Sequence, residues 1–297
     1  MFLKRVENRA SLFKKVIRFF GYTVAFFFII SLFSNSVNDS DKIHIIPITG
    51  NIFSGSNGFS SSDTYSDDIT AELILAENDP SVKAIILEID SPGGTVVGSR
   101  EISNAVSKIN KPVIAWLRET AASGAYWVAV SSDFIIADPA TITGSIGVTG
   151  SYLQFSELLD KYGISYERFV SGNFKDTGSP YREISTEERA YLQNKINLIN
   201  DMFIDHVATS RNLSRSFVRQ RANGQVFLGT EALNNKLIDA LGGYDEAVTF
   251  AANTANITTY SITRSEREIS LIEKLTYGLN SLNSFNTKSS FAITSEL

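Results

Sequence analysis

Apolar and polar positions along the chain change period repeatedly, and each change marks an element. KIHIIPITGNI (Lys42–Ile52) reads as a strand, and a Gly/Ser-rich stretch after it, FSGSNGFSSSDTYS, as a loop. DDITAELILAENDP (Asp67–Pro80) sets apolar residues at helical spacing behind an acidic first turn. VKAIILEI (Val82–Ile89) is a short unbroken apolar run, the pattern of a strand buried on both faces. VVGSREISNAVSKIN (Val96–Asn110) predicts an amphipathic helix, PVIAWL a strand, ASGAYWVAVSS a helix and DFIIAD (Asp133–Asp138) a strand. FSELLDKYG reads as a helix and SYERFV (Ser165–Val170) as a strand. A long amphipathic helix, Thr186–Asn212, opens a helical region that ends near YDEAVTFAANTAN. Strands alternating with helices predict an α/β fold with a mostly parallel sheet and flanking helices.

The two ends break this pattern. Residues 1–18 carry six basic side chains against Glu7, and FFGYTVAFFFIISLF (Phe19–Phe33) carries no charge. With Val16 and Ile17 the run approaches the ~20 residues that cross a bilayer. It is apolar all round, unlike a core helix, and SLFSNSVNDS offers no small-residue cleavage site. The expectation is a retained single-pass anchor with its basic flank in the cytoplasm and the rest outside. The organisation expected is therefore a basic segment and anchor (1–40), one catalytic domain (41–262) and a Ser/Asn-rich tail (263–297). That tail holds one possible amphipathic helix, SEREISLIEKLTYGLNSL, and is expected to be disordered alone or to dock on a neighbour.

Composition narrows the chemistry. A net charge of −5 argues against a nucleic-acid surface. The absence of cysteine removes disulfides, thiolate catalysis and cysteine metal sites. What remains conspicuous is Ser123, in RETAASGAYWVAV, flanked by small residues at an expected helix start. It reads either as a tight packing position or as a nucleophile, and a nucleophile needs a base. The chain's two histidines, His44 on the first strand and His206 within the long helix, sit in no metal-ligand spacing and read as structural or surface residues. A lysine is the other activator of serine, once desolvation or nearby positive charge lowers its pKa. Lys108, Lys111, Lys161 and Lys195 lie in or beside polar helix faces or ends. Lys175 lies in SGNFKDTGSP, after an expected strand, where loops of an α/β sheet build sites.

An acyl-transfer site also needs backbone donors for the oxyanion. EIDSPGGTVVG (Glu88–Gly98) reads as strand, Pro-Gly-Gly turn and helix, either an ordinary connection or a close approach to substrate. It makes the Gly94 N–H one candidate donor, and the Gly124 N–H beside Ser123 the other. Ser145, in TITGSIGV, is the rival nucleophile. Tyr126 and Trp127 read as core or pocket wall, and Asp176 as an orienting partner of the lysine loop or as solvated surface.

Four segments in order, DSPGG, AASGAYW, TGSIGV and SGNFKD, resemble the signal peptide peptidase A family of membrane-anchored bacterial serine proteases, in its short form. The likeness covers roughly Ile43 to Ala251. The resemblance implies a Clp protease/crotonase-like fold. It also implies a Ser123–Lys175 dyad without cofactor or metal, and TGSIGV as architecture beside the site. Hydrophobic peptides such as signal-peptide remnants are the implied substrates, a ring-like homo-oligomer the implied assembly, and the extracytoplasmic side of the bacterial inner membrane the implied location. One position departs: the family's A-S-G-G-Y has Ala125 at its second glycine here, which could narrow the pocket. The alternatives are a catalytically silent membrane-tethered scaffold of the same fold and a crotonase-like acyl-CoA enzyme.

Overall fold

The computed structural model describes residues 40–56 and 62–265. The expected membrane span (16–33) lies outside the described residues, as does the expected tail helix from residue 266 on. Among the described residues no helix is long and apolar enough to cross a membrane.

Nine strands form one sheet among the described residues. Its spine is β1 (Lys42–Phe53), β3 (Val82–Gly94), β4 (Val113–Ala122) and β5 (Phe134–Ala137), all parallel. The outer edge of β1 is shared: β9 (Ser261–Arg264) pairs with its first residues and β2 (Thr64–Tyr65) with its last. The other edge of β4 is shared in the same way by β5 and by β6 (Ile142–Gly144). β7 (Val226–Leu228) pairs antiparallel with β6, and β8 (Ala240–Leu241) extends β5.

The helices between strands fix the layers. Ile85, Leu87 and Ile89 of β3 pack into one apolar cluster with Leu73 of α1 (Ser66–Asn78), Ile102 of α2 (Val96–Val106) and Val128 of α3 (Gly124–Ala129). Phe203 and Val207 of α5 (Thr186–Ser210) join it. The alternate β3 residues, Ala84 and Ile86, pack on the opposite face with Ala247 and Ala251 of α8 (Tyr244–Thr254). β3 is thus buried on both faces, which its unbroken apolar run requires. The helices α4 (Ser156–Lys161), α6 (Arg215–Arg219) and α7 (Gly229–Asn234) complete the order.

One charge interrupts the second face. Glu88 is buried between Arg118 of β4 and Arg264 of β9, each 2.6 Å from one carboxylate oxygen. Its hydration is replaced by two cations, so removing either arginine leaves a buried charge half-compensated.

Three expectations change. DSPGG is not a turn: β3 runs through it to Gly94, which sits opposite Ile52 of β1, and α2 starts only after Thr95 caps it. SYERFV is not a strand: residues 164–170 are irregular and exposed. β9 arises in SITR, where no strand was expected, because the open first half of β1 offers it an edge.

Candidate active site

β4 delivers Ser123. Between Ile89 and Ser91 of β3 the register with β4 slips, so that Ile89 faces Leu117 but Ser91 faces Ala121. The extra β4 residues form a bulge that re-aims the strand end. The chain then turns through Ser123 at φ 53°, ψ −121° directly into α3. Two bonds hold the turn: the Ser123 N–H donates to the Gly144 carbonyl of β6, and its carbonyl accepts from Trp127 N–H, both at 2.9 Å. Ser123 makes no side-chain capping bond to its helix. A non-glycine residue at positive φ on a strand-to-helix turn is the strained arrangement that lifts a nucleophile out of a sheet.

The helix behind it is fixed by burial. Gly124 to Ala129 are all buried. The Tyr126 hydroxyl donates to the Leu237 carbonyl at 2.7 Å, and burial pushes its pKa upward. Trp127 stacks on Phe203 of α5 at 4.4 Å. Ala125 is fully buried in the main cluster and does not line the cavity described below. Its methyl group fills core space.

Gly94 and Gly124 meet at the base of the turn. A Cβ on Gly124 would lie 3.1 Å from Gly94 N and 2.2 Å from the hydroxyl of buried Ser99. A Cβ on Gly93, at φ 103°, would lie 2.6 Å from Gly124 N. Thr95 N–H donates to the Ile52 carbonyl at 2.7 Å, tying the end of β3 to β1. The Gly94 and Gly124 backbone nitrogens therefore lie close together next to Ser123, in a space that admits no side chain.

A cavity of about 430 Å³ opens beside Ser123. Ser145, Val148 and Thr149 form one wall and Ala222 to Gly224 another. α5 supplies the third with Gln193, Ile196, Asn197 and Asn200. Ser145 is itself at φ 50°, and its hydroxyl donates to the Gly224 carbonyl at 3.4 Å. The rival serine thus shares the cavity, across from Ser123.

Lys175 is exposed and is not among the residues lining this cavity. Its loop is nonetheless ordered. Asp176 is bound by Arg168 and Arg182 at 2.6–3.0 Å, and Arg182 continues to Glu188. Glu188 closes a capping box with Ser185 at the start of α5. Arg168 and Arg182 hold the Asp176 carboxyl, and Arg182 with the Ser185 N–H holds that of Glu188, well below the usual carboxylate range. Asp176 therefore fastens the lysine loop to α5. The histidines lie elsewhere: His44 bonds Thr263 and Ser265, and His206 bonds Ser103 and Ser131 while stacking on Trp127.

A family comparison adds to this geometry. The model of Peptidase family S49 matches residues 105–258, and that of the Clp proteases matches residues 50–135. The chain belongs to Peptidase family S49. A putative signal peptide peptidase SppA of Enterococcus faecium is 36% identical over 65% of this chain and 57% of its own length. A putative protease of Methanocaldococcus jannaschii is 33% identical over 68% of both. Protease 4 of Haemophilus influenzae is 35% identical over 74% of this chain, but the match spans only 36% of that longer protein. The serine-peptidase family and the mixed α/β fold expected from the sequence are both shown.

In this S49 chain, sequence motifs pointed to Ser123, Gly94 and Gly124, which the fold brings together. They also pointed to Lys175, which it does not bring to the cavity within one chain. The carboxamide wall of α5 was missed. Its signal was Gln193, Asn197 and Asn200 at intervals of four and three residues, one face of a helix.

Proposed function

We propose that the protein is a membrane-anchored serine endopeptidase acting on hydrophobic peptides such as signal-peptide remnants. Ser123 is the nucleophile, Lys175 the general base, and the Gly94 and Gly124 N–H groups the oxyanion donors. The observation that carries this reading is the turn at Ser123, strained and set beside the closely spaced Gly94 and Gly124 backbone nitrogens, in a chain of the S49 family. Ser123 Oγ attacks the peptide carbonyl while the Lys175 amine takes its proton and passes it to the leaving amine. The two amides stabilise the tetrahedral oxyanion, and water releases the acyl group.

The position of Lys175 outside its own chain's cavity gives the proposal a further term. The base is delivered to Ser123 by a neighbouring copy in a homo-oligomer. Its support is the apolar surface that leads to the loop: Leu153, Tyr162, Ile164 and Phe169 are exposed, Phe169 to 92%. The basic flank and apolar run of residues 1–33 support an N-terminus in the cytoplasm and a catalytic domain outside it.

Fluorophosphonate labelling followed by peptide mapping tests the nucleophile: label on Ser123 is expected, whereas no label, or label on Ser145, defeats the reading. Mixing tests the base. Ser123→Ala and Lys175→Met proteins are each expected to be inactive and to regain activity when co-assembled. An active Lys175→Met protein, with His206→Gln inactive, would defeat the lysine assignment.

A further inference from the structure

A second groove, of about 500 Å³, lies between α1 and α2 and shares no lining residue with the cavity beside Ser123. Leu73 and Ile74 of α1, Ala105 of α2 and Ile109 beyond it supply its apolar lining, and three carboxylates against one lysine complete it. The chain itself leads to this groove. Ser265, the last described residue, donates its N–H to the Ile45 carbonyl at 3.0 Å and its hydroxyl to Glu72 of α1 at 2.8 Å. The tail therefore leaves the domain against α1. Leu75, one turn beyond Glu72, is 66% exposed, and Ile74 beside it is 54% exposed, so an apolar path crosses α1 from the exit point to the groove.

The sequence after Ser265 suits that path. Ile269, Ile272, Leu275, Leu279 and Leu282 recur at intervals of three and four residues, one stripe of a helix. As a helix this stripe would run about 20 Å, close to the length of α1. The four peptide steps from Ser265 to Ile269 reach about 14 Å, enough to cross a helix about 10 Å wide. Residues 274–295 carry two lysines and no acid, which complements the excess of carboxylates in the groove. With Gly278 inside it, so short a helix is marginal alone and needs a surface to pack on. We propose that residues 269–282 dock as a helix in the α1–α2 groove of their own molecule, laying the apolar stripe on Ile74, Ala105 and Ile109. Tethering favours this occupant over a free partner of equal affinity, because the tail is held at high effective concentration. The inference does not depend on the peptidase reading.

The test uses the full chain in mild detergent. The sequence has no cysteine, so introduced thiols report without background. Thr276→Cys is paired either with Asn104→Cys in the groove or with Asn253→Cys on α8, across the sheet, and treated with a short bismaleimide. The groove pair is expected to crosslink within one molecule about ten-fold or more faster than the α8 pair. Leu275→Asp with Leu279→Asp is expected to remove that advantage. Hydrogen exchange on the cysteine-free chain gives a second reading: amides of residues 269–282 are expected to exchange about ten-fold or more slowly than in an Ile74→Lys variant, whose substitution is at an exposed position. Equal crosslinking of the two pairs, or exchange that Ile74→Lys leaves unchanged, overturns the proposal. A groove crosslink that forms only between two molecules overturns it too, and assigns the groove to the tail of a second copy.

Discussion

Ser123 stores backbone strain where the chemistry is proposed. A non-glycine residue in a sparsely populated backbone region costs about 1–3 kcal/mol and persists only where its surroundings over-determine it. Here the surroundings are the Gly144 carbonyl and the buried helix α3. Ser123→Gly and Ser123→Ala should both abolish peptidase activity. Only glycine relieves the strain, so urea unfolding should find it about 1 kcal/mol or more above alanine in stability. Equal stabilities would show that the turn is unstrained. Gly94 is constrained differently. A methyl group there would sit 2.0 Å from the Ile52 carbonyl oxygen. Gly94→Ala should therefore shift the β1–β3 register as well as the oxyanion amide. Activity should fall by about 10²–10³, with a lowered unfolding midpoint; normal turnover would show that the amide is not a donor. The motifs exposed both residues in the sequence. The strain was not legible, because the φ of Ser123 depends on β6, whose three residues become a strand only by pairing with β4 and β7.

At the scale of elements, α5 joins three functions along one rod. Its first turn holds the lysine loop, its middle lines the cavity, and its last turns carry His206 against Trp127. The ion network at its start should respond to acid. Asp176 and Glu188 are held below their ordinary pKa values, so their contribution is complete above the unfolded carboxylate range and is lost as pH falls through the lower folded values. Arg182→Met should raise amide hydrogen exchange in residues 171–182 at neutral pH and leave β4 protected; unchanged exchange would show that the loop is held otherwise. His206 acts in the same direction, through burial rather than ion pairing. Burial pushes its pKa down, so the folded state binds fewer protons than the unfolded state between the two values. Stability from this group rises with pH across that window. His206→Gln should make the loss of stability between pH 7.5 and pH 5 smaller, as read by thermal unfolding; an unchanged loss would place the acid sensitivity elsewhere. Much of this layout was readable. Parallel strands showed as continuous apolar runs because both their faces are buried, and the long helix showed by its period. SYERFV misled because its apolar–polar alternation matches a strand, while residues 164–170 are irregular and exposed.

For the molecule as a whole, the exposed apolar residues between Leu153 and Phe174 make assembly part of the proposed catalysis. Monomeric proteins seldom leave such a patch uncovered. Light scattering should find an oligomer, and Phe169→Glu should reduce both its mass and its specific activity, more severely on dilution. A fully active monomer at micromolar concentration would remove the need for a second copy. The resemblance implied an oligomer, but the patch itself was not legible in the sequence, because a surface patch depends on which apolar residues the core leaves out.

The sharing of β1's outer edge bears on how the protein is made. His44 on β1 is bonded to Thr263 on β9, 219 residues later. A growing chain therefore presents its first strand with a bare edge until nearly all the catalytic domain has been synthesised. Such long-range pairing pays its loop-closure entropy early and is rewarded late, so closure of the sheet should be slow. A chain ending at residue 260 would keep β3 and β4 but expose the first half of β1, with Glu88 deprived of Arg264. That shortened chain should aggregate through its open edge.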